Sequence, residues 1–261
     1  MAEQQSYTLD RRKLAAVIAG GITLVLVLFF TFRKKNSEVK DVLVEIKHLA
    51  DGQNDLIKEK DVKEIVRRAF DEKIENEPLG RVDVARIEQV LKQDPFVENA
   101  ESFVDASGNL HLKVFQREPI LRIIDNNGLN YYLDKNGVRM PLSKYFSARV
   151  PIITGAVPPY VSDFLSRKKY ALKEVFTLVQ ILNADAFFAP MIQQIVVDAA
   201  GEFTLIPILG DQKIRIGTLE DIDEKLDRLK TFYKEAMPYE GWKKYRSISV
   251  KFKGQIVCKK K

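Results

Sequence analysis

The chain has 261 residues and 46% hydrophobic side chains, enough for real cores and too many for a disordered polypeptide. Its formal charge is +6, but residues 1–35 hold six basic and two acidic side chains, so +4 sits there and only +2 in the rest. A nearly balanced body excludes the broad positive field of a nucleic-acid binder, and a single cysteine, Cys258, excludes an intrachain disulfide.

From Leu14 to Phe32 runs an uncharged apolar stretch, LAAVIAGGITLVLVLFFTF. As a helix it spans roughly 28 Å, close to the hydrocarbon thickness of a bilayer. Arg11-Arg12-Lys13 and Arg33-Lys34-Lys35 flank it, and no small-residue cleavage site closes it, so an uncleaved membrane anchor is expected rather than a signal peptide. Three bases on each side leave the orientation open on charge alone.

A short polar tether over 33–40 leads into a β-branched run, Val42 to Ile46. Val62, Ile65, Val66 and Ala69 recur at helical spacing and predict a helix opening at Lys60-Asp61. Pro78-Leu79-Gly80 breaks it, and a second helix is expected from Asp83 as N-cap, with Val84, Ile87, Val90 and Leu91 on one stripe, ending before Asp94-Pro95. A hairpin follows, Val97 to Val104 and then Leu110, Leu112 and Val114 alternating with His111 and Lys113, around the turn 105–109. Strand, helix, helix, strand, strand over about 75 residues predicts a two-layer unit, two helices over three strands.

Beyond Arg117-Glu118-Pro119 the pattern predicts strands at Ile120–Ile124, Tyr131–Leu133 and Pro151–Thr154, and an amphipathic helix over 168–184. Strands at 194–197, 202–208 and 213–216, a long helix over 219–236 and a final strand over Ser247–Phe252 complete the chain. In that last strand Ile248, Val250 and Phe252 alternate with Ser249, Lys251 and Lys253, ahead of Gly254 and Gln255-Ile256-Val257.

Several of these segments resemble the FtsQ/DivIB family. Val82–Leu91 followed by Asp94-Pro95-Phe96-Val97-Glu98-Asn99-Ala100 is similar to that family's POTRA signature, with Phe96 where tryptophan is common. Gln116-Arg117-Glu118-Pro119-Ile120 resembles the box that closes the POTRA hairpin, and Tyr131–Val138 the following leucine–aspartate–x–x–glycine turn. Ile214-Arg215-Ile216-Gly217 leading into Lys225-Leu226 is a fourth match in the same order. The resemblance covers about residues 12–257 and implies an α+β protein: a short cytoplasmic tail (1–13), a transmembrane helix (14–32), a POTRA domain (40–117), and a mixed β domain with flanking helices and a C-terminal strand (118–261). It also implies an N-in, single-pass topology with the bulk of the chain in the periplasm at the division septum.

Nothing in the residues argues for an enzyme. His48 and His111 sit in no nucleophile or metal motif, and Cys258 has no histidine motif nearby. Asp61/Glu64 and Glu220/Asp221/Asp223 lie where carboxylates complement helix dipoles. Phosphate-binding glycine loops are missing, so no catalytic residue, cofactor, metal or small-molecule substrate is expected. The expected chemistry is binding. The terminal segment Ser249, Val250, Lys251, Phe252, Lys253, Gln255, Ile256 and Val257 is the candidate surface, with the last strand at a sheet edge and Lys251, Lys253, Lys259, Lys260 and Lys261 attracting an acidic partner. For Val250 and Phe252 core packing is the competing expectation. The resemblance implies small FtsB/FtsL-type membrane division proteins as partners. The alternatives are a POTRA-containing chaperone-like factor for envelope protein assembly and an anchored envelope hydrolase.

Overall fold

A computed structural model describes residues 16, 18–27, 37–49, 54–70, 74, 75 and 77–261. Leu14 and Phe32, the ends of the predicted membrane span, lie outside the described residues. Within the span, residues 18–27 are helical, and among the described residues no helix is long and apolar enough to cross a membrane. The described residues divide into two compact units, one within 1–47, 58–93 and 99–114, the other within 48–57, 94–98 and 115–261.

The first unit holds β1 (Val42–Lys47), α1 (Glu59–Phe70), α2 (Val84–Gln93) and the hairpin β2 (Val97–Val104) and β3 (Leu110–Gln116), with sheet order β1-β3-β2. The predicted order strand, helix, helix, strand, strand is observed. Helical spacing turns Val62 and Val66 of α1 and Ile87 and Leu91 of α2 inward, while Ile65, Ala69, Val84 and Val90 are half-buried. Strand alternation buries Leu110, Leu112 and Val114. Asp83 caps α2 as expected, its Oδ1 accepting the Arg86 amide at 3.0 Å. Asp61 works from inside α1, accepting the Lys58 amide at 3.1 Å. Glu64 lies beyond the first turn, where a carboxylate would complement the helix dipole. It takes hydrogen bonds from Arg67 and Arg68, which hold its carboxyl down to about 2.

The second unit is built on a nine-stranded mixed sheet in the order β12-β11-β10-β9-β8-β7-β4-β5-β6. Its strands are β4 (Pro119–Ile124), β5 (Asn130–Asp134), β6 (Arg139–Met140), β7 (Ile152–Gly155), β8 (Ile192–Val197), β9 (Phe203–Pro207), β10 (Lys213–Gly217), β11 (Tyr245–Ser249) and β12 (Val257–Lys260). Helix α3 (Ala171–Ala184) connects the parallel pair β7 and β8. Helix α4 (Ile222–Glu235) and the short α5 (Met237–Glu240) connect the parallel pair β10 and β11. One apolar cluster joins Leu172, Val175, Phe176 and Val179 of α3 and Leu226, Leu229 and Tyr233 of α4 to Leu121, Ile153, Ile195, Leu205, Ile214 and Ile248 of the sheet. Both helices therefore cover the same face. Tyr131 points into that cluster and its neighbour Tyr132 to the other face, against Leu49, Leu56 and Met140.

Four Asp-x-x-Gly turns punctuate the strands, opening at Asp105, Asp125, Asp134 and Asp198. In each, one carboxylate oxygen accepts the amides two and four residues ahead, as at Asp134 with Asn136 (2.9 Å) and Val138 (2.7 Å). Gly137 closes its turn at φ +77°, and a Cβ there would sit 2.9 Å from the Phe164 ring.

Two of the sequence motifs meet at one point. Arg117 of the box after the hairpin donates to Asp134 Oδ2 at 2.7 Å, and its Nη2 donates to the Val97 carbonyl at 2.9 Å. The two side chains are only 13% and 2% exposed. Gln116, also buried, accepts the Leu56 amide at 2.6 Å and donates to Asp55 Oδ1 at 2.7 Å. These motif residues hold the second unit together.

Candidate partner-binding edge

The sequence places the last strand at 247–252 and at a sheet edge. The structure corrects both points. β11 covers Tyr245–Ser249 and is internal, parallel to β10 on one side and antiparallel to β12 on the other. The edge is β12, paired through Ser249↔Val257, Ile248↔Cys258, Ser247↔Lys259 and Tyr245↔Lys260. Its far side has no strand partner among the described residues. The opposite end of the sheet is β6, only two residues long and with Met140 buried. Of the two ends, β12 offers the longer open row of backbone donors and acceptors.

The strand stops at Ser249 because the helix behind it competes for the carbonyls. Arg228 of α4 donates from Nη2 to both Val250 O and Phe252 O at 3.1 Å, and Arg215 O accepts the Val250 amide at 3.0 Å. The chain then turns, closed by Gln255 N to Phe252 O at 3.3 Å, and returns as β12. Lys251 is held across the sheet by an ion pair to Glu202.

The predicted site residues fall into three groups. Val250 is fully buried in the main core, so its side chain serves packing and is removed from the candidate surface. Ser249 and Ile256 are half-buried, Ile256 packing against the same core. Lys251, Phe252, Lys253, Gln255 and Val257 are exposed, with Phe252 at 53%. The exposed set lies on the β11–β12 connection and the first residue of the edge. Lys259 and Lys260, expected to attract an acidic partner, belong to β12 itself, a strand that the sequence pattern did not separate from the preceding one. The turn glycine Gly254 between two β-branched runs was the available signal for a terminal hairpin.

Electrostatics favour an acidic ligand. Lys259, Lys260 and Lys261 are exposed along the edge, and Lys261 bonds Asp211 at 2.7 Å. Cys258, just before them, packs on the core side opposite Ile248, and burial pushes its thiol up from the usual range. A thiol protonated at neutral pH is a poor nucleophile and metal ligand. Elsewhere, His111 of β3 is half-buried. It stacks on Phe103 at 4.7 Å between ring centroids and lies 2.9 Å from Asp105 Oδ2, a bond that holds the Asp105 carboxyl well below the usual range. Asp223 lies in the first turn of α4, where its charge complements the helix dipole as expected, while Asp221 precedes the helix at φ 50° without a side-chain capping bond. Among the described residues no group of three or more His, Cys, Asp or Glu is arranged to hold a metal ion.

Comparison with known proteins agrees with this architecture. Residues 38–115 match the POTRA-like domain, and residues 118–259 match the domain described as FtsQ/DivIB, C-terminal related. The chain is also similar to the cell division protein FtsQ of Rhodothermus marinus, 27% identical over 186 residues, covering 69% of this chain and 67% of that protein. With a POTRA-like unit ahead of a C-terminal domain that fills more than half its length, the chain belongs to the FtsQ/DivIB family of cell-division proteins.

Proposed function

We propose that this protein is a non-enzymatic, membrane-anchored divisome scaffold. It binds small bitopic division proteins of the FtsB/FtsL type by strand addition to β12 and so helps control septal peptidoglycan synthesis. The observation that carries this reading is the open, basic edge of β12 at the end of a nine-stranded sheet. An extended partner segment gains main-chain hydrogen bonds there, while acidic side chains meet Lys259 and Lys260. The uncharged run from Leu14 to Phe32 supports an anchor, and family membership supports an N-in orientation with both units in the periplasm at the septum.

The test is co-purification of the small bitopic division proteins with the full chain. Cys258→Pro removes an amide from β12 and is expected to abolish capture, and Lys259→Glu with Lys260→Glu to weaken it in a salt-dependent way. Phe252→Ala and Lys251→Ala probe the adjoining turn. Unchanged capture by Cys258→Pro with the fold intact would refute docking at β12. The POTRA-like match favours one other reading, a chaperone-like factor for envelope protein assembly. Depletion separates the two, since filamentous cells follow from the scaffold and loss of outer-membrane proteins with normal septa from the chaperone.

A further inference from the structure

At the end of the sheet where β12 finishes, the β9–β10 turn holds two consecutive aliphatic side chains in solvent, Ile208 at 64% and Leu209 at 55% exposure. The turn is rigidly built. The Ile208 amide donates to Met191 O at 2.8 Å. Gly210 is folded tightly over Gln212, whose side chain a Cβ would meet at 2.1 Å. Gln212 is fully buried and donates both to Leu209 O (3.3 Å) and to the Tyr233 hydroxyl (2.9 Å). The Tyr233 ring packs on Trp242 at 5.9 Å. The end of β12 reaches the same place, since Lys261 bonds Asp211 at 2.7 Å and its amide donates to Lys244 O at 3.2 Å. Solvated aliphatic side chains on a fixed turn are the pattern of a surface awaiting cover. At this end of the sheet Lys261 pairs with Asp211 and Lys244 with Glu240, and Lys243 and Lys260 act on the same two carboxylates, which leaves an excess of positive charge.

We propose that Ile208 and Leu209, flanked by Trp242, form an apolar shelf for large apolar side chains of an acidic protein segment that continues past the end of β12. The proposal rests on the reading of β12 as a docking strand. A protein segment fits better than a lipid surface, because the neighbouring strand edge presents amides and carbonyls that only another backbone satisfies. The shelf then sets the direction of the added strand, since apolar residues help at only one of its ends.

Trp242 is the single tryptophan of the chain and packs on Tyr233, which shares Gln212 with the turn, so its emission reports on this end of the sheet. The full chain in detergent micelles is titrated with synthetic peptides of alternating glutamate and valine. One carries two leucines at its N-terminal end, one carries them at its C-terminal end, and a third has serines instead. One leucine peptide is expected to bind about tenfold more tightly than the serine peptide and to shift the emission to the blue, as covering roughly half of two leucine side chains requires. Ile208→Ser and Leu209→Ser, which remove the apolar contact without adding charge, are expected to erase that difference and leave the serine peptide's binding unchanged. Equal binding of all three peptides overturns the shelf alone. No binding of any peptide overturns the strand-addition reading and the shelf with it. An emission shift by phosphatidylglycerol vesicles without one by the peptides assigns the patch to a membrane and also overturns the proposal.

Discussion

The ion pair between Arg117 and Asp134 gives the most exacting test of why two family motifs have their residues. Asp134→Asn keeps an oxygen that accepts the Asn136 and Val138 amides, so the turn survives, but its NH2 now faces Arg117 and both the charge and the acceptor of that hydrogen bond are lost. Breaking a buried pair by neutralising one partner costs about 3–5 kcal/mol. Arg117 keeps its bond to Val97 O, which places the expected loss near the lower end, about 3 kcal/mol. At about 2–4 °C per kcal/mol for a unit of this size, the melting temperature falls by roughly 6–12 °C. Arg117→Met strands the 2%-exposed carboxylate and is expected to cost a similar amount. The double variant removes both charges, recovers most of the loss and gives a coupling of about 2 kcal/mol or more. Thermal and denaturant unfolding of the full chain, followed by near-ultraviolet circular dichroism, measures all four corners of the cycle. Single variants within about 1 kcal/mol of the parent, or losses that simply add, would refute a buried pair as the reason for both motifs.

Other outcomes follow from particular groups. Burial raises the Tyr233 hydroxyl from 10.0 to about 12, and Tyr131 rises further for the same reason. Each favours the fold fully below pH 10 and loses that contribution as pH climbs through the folded value, so Tyr233→Phe is expected to flatten the alkaline limb of a stability–pH profile between pH 10 and 12. The Tyr131 hydroxyl is buried without a hydrogen-bond partner, so Tyr131→Phe is expected to be neutral or to stabilise by up to about 1 kcal/mol in denaturant titration. Gly137→Ala combines an unfavourable φ with collision against Phe164, and a loss of at least about 1–2 kcal/mol is expected in thermal unfolding. Cys258 is expected to react slowly with iodoacetamide at pH 7 and faster as pH rises past its elevated value, with added protection when a partner strand covers β12.

Much of the fold was legible because its signals are local. Alternation in Leu110–Val114, the stripe of Ile87 and Leu91, and the aspartate turns each depend on a few neighbouring residues, and the structure follows them closely. The terminal hairpin was misjudged because its limits are set from a distance. Arg228, more than twenty residues earlier, takes the carbonyls of Val250 and Phe252 and ends β11. β12, two apolar residues followed by two lysines in Val-Cys-Lys-Lys, carries no alternation to detect. Phe252 lies in phase with Ile248 and Val250, yet the turn carries it into solvent while Val250 stays in the core. The exposed shelf was invisible for a related reason. Ile208 and Leu209 extend the apolar pattern of β9, and only the Gly210–Gln212 turn reveals that they leave the sheet.

The order of the nine strands also has a kinetic consequence. Its centre depends on distant parallel pairings, Ile123 with Ile153 and Ile153 with Ile195, so loop closure is slow and the middle of the sheet is expected to form late. The β11–β12 hairpin is different, closing locally through Ser249 and Val257 and pairing with the rest of the sheet along β11, with side-chain bonds from Lys251, Lys261 and Arg228 as its further ties. Such a flap can open as a separate unit while the central strands remain paired. A segment docked on β12 would therefore hold the flap shut as well as occupy it, and amide exchange would slow in β11, a strand the ligand never touches.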